Sequence, residues 1–99
     1  MRIEDWRAEI DEIDNELLHL INRRARLAVK AGLEKMSAGL PLSDPDREQS
    51  VLMRACRANA GPLDDRAIAK IFRRIICESR RIQTHIVEMS LAQMRRVGR

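Results

Sequence analysis

Aromatic side chains are almost absent from this sequence of 99 residues, which has no tyrosine and only Trp6 and Phe72 as other large rings. A core of stacked rings is therefore excluded. Most of the hydrophobic 44% of the chain is isoleucine, leucine, valine and alanine, so we expect an aliphatic core. A chain this short buries only a modest part of its unfolded surface, and self-association would increase that part.

Cysteine is also scarce. Cys56 and Cys77 stand alone, without a CxxC motif and without metal-ligand spacing to His19 or His85. Neither a zinc site nor a disulfide framework is indicated, so we expect reduced cysteines, surface histidines and no bound metal.

Long apolar runs are missing as well. No window approaches the roughly 18 apolar residues that a membrane span needs. Residues 1–11 alternate in charge and contain no apolar signal-peptide segment. We therefore expect a cytoplasmic protein that does not contact a membrane.

Charged residues are plentiful, and most of the cations are arginine. Lysine and arginine together number 19 against 15 acidic residues, and only Lys30, Lys35 and Lys70 are lysine. Arginine binds carboxylate and phosphate groups through two parallel hydrogen bonds. An anionic partner is therefore indicated.

The first third of the chain has the pattern of one long helix. Its apolar positions follow a 3-4 spacing: Ile3, Trp6, Ile10, Ile13, Leu17, Leu20, Leu27 and Ala31. This apolar seam resembles that of a coiled coil, and Arg24 occupies its one missing step. No proline precedes Pro41, so the helix is predicted from Ile3 to about Lys35 or Met36, roughly 50 Å at ~1.5 Å per residue. Such a rod cannot bury its seam against itself.

Two further helices are predicted after breaks in the chain. Residues 37–45 hold a glycine and two prolines and form a loop, from which a second helix starts near Ser43 or Asp44. Residues 60–62 (Ala-Gly-Pro) end that helix, with Gly61 as its C-cap residue. Asp64 or Asp65 caps a third helix, whose end after Gln93 is expected to fray. We expect one all-α domain over residues 1–99, with long, short and long helices.

The apolar stripe of the third helix is interrupted by polar residues. Ile76, Ser79, Arg80 and Gln83 stand at i, i+3, i+4 and i+7, so they share one face. Polar groups on a buried face need a reason, such as a hydrogen-bond partner.

Together these pieces resemble the AroQ-type chorismate mutases, particularly the mutase domain of the bacterial bifunctional mutase–prephenate dehydratases. The resemblance covers nearly the whole chain. Its carriers are residues 10–14 (IDEID), 17–29 (LLHLINRRARLAV), Lys35, 44–48 (DPDRE), 75–79 (IICES) and Gln83.

The resemblance implies an intertwined homodimer that converts chorismate to prephenate without a cofactor. It implies a site formed by Arg7, Arg24, Lys35, Asp44, Arg47, Glu48, Ser79 and Gln83. In the family, Arg24 and Arg7 would hold the two substrate carboxylates, with Arg47 assisting. Lys35 and Gln83 would donate to the ether oxygen, and Glu48 would accept from the ring hydroxyl.

Helix geometry gives an independent reason for a dimer. Arg24 and Lys35 are eleven residues apart, about 16 Å along one helix and nearly on one face, so both could reach one ligand. Arg7 lies about 25 Å from Arg24 on a different face. It would have to enter the site from a second chain.

Each site residue also has a simpler structural interpretation. Arg24 could fix the register of paired helices, and Lys35 could offset a helix dipole. Asp44 and Glu48 suit the start of any helix. The remaining polar positions have plain interpretations too: Ser79 and Gln83 as helix–helix contacts, and Arg7 as a solvated residue.

Arg80 departs from the family pattern, since the resemblance predicts a small apolar residue there. It could turn outward, pair with Glu78 or Asp44, or add a cation to the site. Two other functions stay open: an isochorismate–pyruvate lyase of the same fold, and a basic helical nucleic-acid binder suggested by a pI of about 9.8. Asp44, Glu48 and Ser79 together favour the mutase. The spread of basic residues among acids argues against nucleic-acid binding.

Overall fold

The structure, a computed structural model, describes residues 2–98, so the two end positions of the predicted domain 1–99 lie outside it. Within that range the chain forms three helices: α1 (Arg2–Ser37), α2 (Pro45–Ala58) and α3 (Asp65–Val97). They have 36, 14 and 33 residues. The predicted all-α architecture of long, short and long helices is confirmed.

α1 runs without a break because no proline precedes Pro41. It ends at Ser37, two residues before Gly39, whose φ of 69° lies in the left-handed region that glycine adopts without strain. The Gly39 N–H donates to the Met36 carbonyl at 3.1 Å, and the Leu40 N–H donates to the Lys35 carbonyl at 2.8 Å. This pair of bonds is a Schellman motif, which satisfies carbonyls at the helix end.

α2 and α3 each follow an aspartate N-cap, which is Asp44 of the pair Ser43 and Asp44 and Asp64 of the pair Asp64 and Asp65 that the sequence left open. Asp44 accepts a hydrogen bond from the Arg47 N–H at 3.0 Å, and Asp64 accepts one from the Ala67 N–H at 2.8 Å. Pro45 follows the first cap, where the missing N–H costs nothing. Local sequence signals therefore position the start of α2, which borders the site.

Two predicted helix ends were wrong. α2 is capped by Asn59, two residues before Gly61, and the Asn59 side-chain amide closes the following turn by donating to the Leu63 carbonyl at 2.7 Å. α3 does not fray after Gln93 but continues to Val97. Neither proline nor glycine interrupts its last turn.

The three helices form a thin, elongated body. α3 packs against both α1 and α2, and the dimensions are 66 × 29 × 15 Å. The radius of gyration of 17.8 Å exceeds the value of about 13 Å for a compact domain of this length. The buried residues of the described chain are Gly32 on α1 and Ser79, Gln83 and Val87 on α3. Burial is thus concentrated where α3 crosses the second half of α1.

Candidate active site

A polar cleft lies at this crossing, between α1, α3 and the start of α2. Its lining comes from Arg24, Ala28 and Lys35 of α1, from Leu42, Asp44, Arg47 and Glu48 around the start of α2, and from Ile76, Ser79, Arg80 and Gln83 of α3. Seven of the eight side chains that the sequence predicts for the site are thereby brought together, although they are spread over 60 positions of the chain.

Arg24 spans the gap between α1 and α3. Its guanidinium donates to the Ser79 hydroxyl at 3.0 Å, which leaves four of its five N–H groups for a ligand. Burial lowers the pKa of Arg24, and the nearby Arg47 cation lowers it further. Arginine remains charged at ordinary pH all the same. Two cations held close together in a partly buried place favour an anion between them.

Gln83 is buried against α1. Its side-chain N–H donates to the Ala28 carbonyl at 2.7 Å. Because a carbonyl can only accept, this bond determines which end of the amide carries the nitrogen. The amide therefore keeps one N–H and its oxygen for other partners. An amide of fixed orientation thus lines the cleft.

Gly32 makes this arrangement possible, and sequence reasoning missed it. A methyl group added at Gly32 would lie 2.5 Å from Cγ of Gln83, closer than real side-chain carbons approach. Only glycine lets the Gln83 side chain lie this close to α1. A signal was present in the sequence, because an isolated glycine inside a helical pattern is unfavourable and often has a packing reason. Ala28 and Leu42, which form the aliphatic lining together with Ile76, were also missed.

Asp44 is the N-cap of α2, and Arg47 and Glu48 lie in its first turn. The cap bond from the Arg47 N–H to Asp44 fixes this turn. Both carboxylates are also favoured by the positive end of the helix dipole. The turn therefore presents one cation and two acceptors to the cleft.

Arg80 faces the cleft, and its guanidinium forms an ion pair with the Glu48 carboxylate. The two suggested partners, Glu78 and Asp44, were wrong. Glu78 instead pairs with Arg74 and Arg81, which lie outside the cleft. Arg80 thus adds a cation to the site, as one of the interpretations of the sequence allowed.

Arg7 is the predicted residue that does not reach the cleft. It lies on the exposed surface of α1 and forms an ion pair with Glu4 at 3.2 Å. Its assignment to the site of a second chain stays a prediction.

Residues 2–98 contain neither a metal-ligand cluster nor a candidate membrane span. No three His, Cys, Asp or Glu side chains there lie close enough together to hold a metal ion. None of the helices is both long and apolar enough to cross a membrane. Both histidines are exposed.

The arrangement suits a small molecule with two negative charges. Four cations and two carboxylates line the cleft, which leaves an excess of positive charge. Its volume of about 110 Å³ is below the ~300 Å³ at which ligand pockets usually begin. A second surface would be needed to enclose a ligand here.

Comparison with known proteins points to one family. The family model for chorismate mutase type II matches residues 6–84. The bifunctional chorismate mutase/prephenate dehydratase of Aquifex aeolicus is 38% identical over 78 residues, which are 75% of this chain and 22% of that protein. The chorismate mutase of Methanocaldococcus jannaschii is 31% identical over 90 residues, which are 88% of this chain and 89% of that protein.

A solved structure agrees with these sequence matches. Chorismate mutase (form II) from Thermus thermophilus superposes with a TM-score of 0.82 at 34% identity, covering 85% of this chain and 96% of that one. The chain spans about a fifth of the length of the bifunctional relatives it matches. Neither the lyase nor the nucleic-acid binder is favoured by these matches.

Proposed function

Because the chain belongs to the family of type II chorismate mutases, we propose that it converts chorismate to prephenate in phenylalanine and tyrosine biosynthesis. The observation that carries this proposal is the cleft, where cations, fixed hydrogen-bond donors and an aliphatic wall meet. The rearrangement is an isomerisation: the ether C–O bond breaks while a C–C bond forms, and no atom or electron leaves the molecule. It requires no nucleophile, cofactor or proton transfer.

Such a reaction leaves the protein two tasks. Chorismate is a flexible dianion, so cations that bind both carboxylates select the compact conformer in which the reacting carbons meet. Negative charge then grows on the ether oxygen as the C–O bond breaks. Donors aimed at that oxygen stabilise the transition state more than the ground state, and this difference raises the rate.

Seven polar side chains of the cleft have a part in this proposal. Arg24 binds one carboxylate and is oriented by Ser79, while Arg47, held by its cap bond to Asp44, assists. Lys35 and Gln83 donate to the ether oxygen. Glu48 accepts a hydrogen bond from the ring hydroxyl.

We further propose a homodimer in which Arg7 of each chain completes the cleft of the other. The small volume of the cleft supports this, as does the exposure of the apolar seam. Ile3, Trp6, Ile10, Ile13 and Leu17 are each about half exposed in one chain (49–58%). Large apolar patches of this kind mark association surfaces.

Residues 1–99 are proposed to form a single domain that acts in the cytoplasm. Cys56 and Cys77 are both unpaired. Unpaired cysteines are typical of reducing compartments.

The activity can be tested directly with purified protein. Chorismate absorbance should disappear, and the product should be identified as prephenate rather than pyruvate. Exhaustive dialysis against EDTA should leave the rate unchanged. A loss of rate that an added metal restores would refute the mechanism, and pyruvate as product would refute the function.

Shared sites can be tested by mixing chains. Arg7→Ala and Arg24→Ala chains should each be inactive alone. In a mixed dimer one site carries both changes and the other carries neither, so about half of the wild-type activity per heterodimer should return. Subunit exchange without recovery would contradict the shared site.

A further inference from the structure

Arg80 stands where the cleft meets a second groove. The groove, of about 340 Å³, is lined by Pro45, Gln49, Leu52, Arg73 and Cys77. Glu48, Ile76 and Arg80 line both cavities. The ion pair between Arg80 and Glu48 therefore forms part of the wall that separates the cleft from the groove.

This ion pair differs from the others in residues 2–98. Arg7–Glu4, Arg74–Glu78 and Arg81–Glu78 each lie within one helix, on arginine side chains that are 70–77% exposed. Arg80–Glu48 joins α3 to α2, and its side chains are only 43% and 26% exposed. A partly buried pair between two helices constrains both side chains more than a solvated pair does.

The Arg80–Glu48 ion pair reduces an electrostatic conflict between the Glu48 carboxylate and a dianionic ligand. A carboxylate inside the cleft repels a dianionic ligand, and a carboxyl that takes up a proton is a poorer acceptor for a hydroxyl hydrogen bond. A guanidinium beside the carboxylate offsets the repulsion and favours the ionised form. It also holds one carboxylate oxygen, which leaves the other free for the ligand.

We infer that Arg80 is a positioning residue, which holds the Glu48 carboxylate ionised and oriented so that it accepts a hydrogen bond from the hydroxyl of a dianionic substrate. This inference rests on the proposed function. It assigns Arg80 no contact with the reacting atoms, and it predicts that Arg80 acts only through Glu48.

The charged and titratable groups around Glu48 come from all three helices. α1 supplies Arg24 and Lys35 to the same cleft, and the first turn of α2 supplies Asp44 and Arg47. α3 supplies Arg73 and Cys77 on the groove side. All of these groups are retained in a variant that changes Arg80 alone. A change in the pH dependence of that variant's activity therefore reports on Arg80.

The experiment compares kcat and KM from about pH 4.5 to 8.5 for the wild type, Arg80→Met and Arg80→Lys. Loss of a neighbouring cation raises the pKa of a carboxyl. Activity is lost as pH falls through that pKa, so the acid limb of Arg80→Met should move to higher pH. Near pH 7.5, kcat/KM should fall about tenfold, as expected for a charge-assisted contact. Arg80→Lys keeps the charge and should restore the acid limb.

Two controls separate positioning from a general effect of substitution. Arg81→Met removes a neighbouring arginine that pairs with Glu78 outside the cleft, and it should leave the kinetics unchanged. Glu48→Gln removes the ionisable group through which Arg80 is inferred to act. In the Glu48→Gln background, the additional change Arg80→Met should therefore alter kcat less than about twofold, because the effects of coupled residues do not add. Circular dichroism and thermal melting check that each variant folds.

The outcomes distinguish this inference from the proposed function. A wild type that does not turn over chorismate refutes both. An active wild type together with an unshifted profile for Arg80→Met, or with a full further loss in the Glu48→Gln background, refutes the role of Arg80 alone. A lower melting temperature with unchanged kinetics also refutes it, since the pair would then only link the helices.

Discussion

The two halves of α1 differ in what packs on them, although Leu20 and Leu27 extend the exposed apolar seam into the second half at 56% and 54% exposure. In the second half, polar side chains from α3 are buried, and every buried side-chain nitrogen and oxygen in residues 2–98 has a hydrogen-bond partner. In the first half, large apolar side chains lie in the open, with Trp6 57% and Leu18 61% exposed. The chemistry of the cleft is thus organised within one chain. The apolar half of the same helix lacks a surface to pack against.

The largest expected effect comes from removing a cation at the organised end. Arg24→Ala and Lys35→Ala each remove a charged donor from the dianion site, and each should lower kcat/KM by about 10²–10³, the size of effect seen when one oxyanion-type donor is lost. Arg26→Ala, a matched change on the exposed side of α1, should have little effect. A drop of less than tenfold for both cleft variants, with unchanged helicity, would mean that the reaction occurs elsewhere.

A smaller loss of activity is expected from Gln83→Glu, and it should appear only above the pKa of the introduced carboxyl. The amide has two N–H groups, of which one is bonded to the Ala28 carbonyl, whereas a protonated carboxyl has a single O–H and a carboxylate has none. Activity should therefore fall as pH rises through the pKa of the new carboxyl, by about tenfold for a lost hydrogen bond.

The measurement is kcat against pH from about 4.5 to 8.5, with circular dichroism at each end of the range. The wild type should be nearly flat, because the amide does not titrate. A flat profile at the wild-type rate for Gln83→Glu would remove Gln83 from the proposed donors. The part of α3 in the mechanism would then rest on Ser79 and Arg80.

At the exposed end, the expected effect depends on protein concentration. Ile13 is 53% exposed in one chain, so Ile13→Asp should change the stability of an isolated chain by only about 0.5 kcal/mol. In a dimer the same change buries an unpaired charge. Light scattering should find a dimer for the wild type and a monomer for Ile13→Asp, with activity partly recovered at high concentration. Glu12→Gln is the matched control, and a wild type that is monomeric would contradict the dimer.

Contacts within one helix turn could be predicted from the sequence, whereas contacts between helices could not. The caps Asp44 and Asp64 were predicted because their partners lie three residues away, and such local bonds leave a signature in the sequence. The partner of Arg80 was not, because the contact with Glu48 depends on how α2 meets α3. Gly32 was missed for the same reason, since its importance appears only where Gln83 crosses α1.

The smallest expected effect, and the most specific one, therefore concerns Gly32. Alanine is favoured over glycine inside a helix by about 0.5–1 kcal/mol, but the added methyl group would meet Cγ of Gln83 at 2.5 Å. Overpacking of this kind costs about 1–3 kcal/mol. Gly32→Ala should thus lower the melting temperature by several degrees, at about 4–8 °C per kcal/mol. It should also reduce kcat severalfold, because Gln83 is displaced from the Ala28 carbonyl.

The sign of this effect should reverse when the obstacle is removed. Gln83→Ala has no Cγ, so in that background the methyl group of Gly32→Ala has room and only the helix preference remains. The second change should then raise the melting temperature instead of lowering it. Thermal unfolding of the four proteins in this cycle measures the coupling between the two positions. If Gly32→Ala destabilises both backgrounds equally, Gly32 is not the contact that allows Gln83 to reach α1, and the fixed orientation of the amide needs another cause.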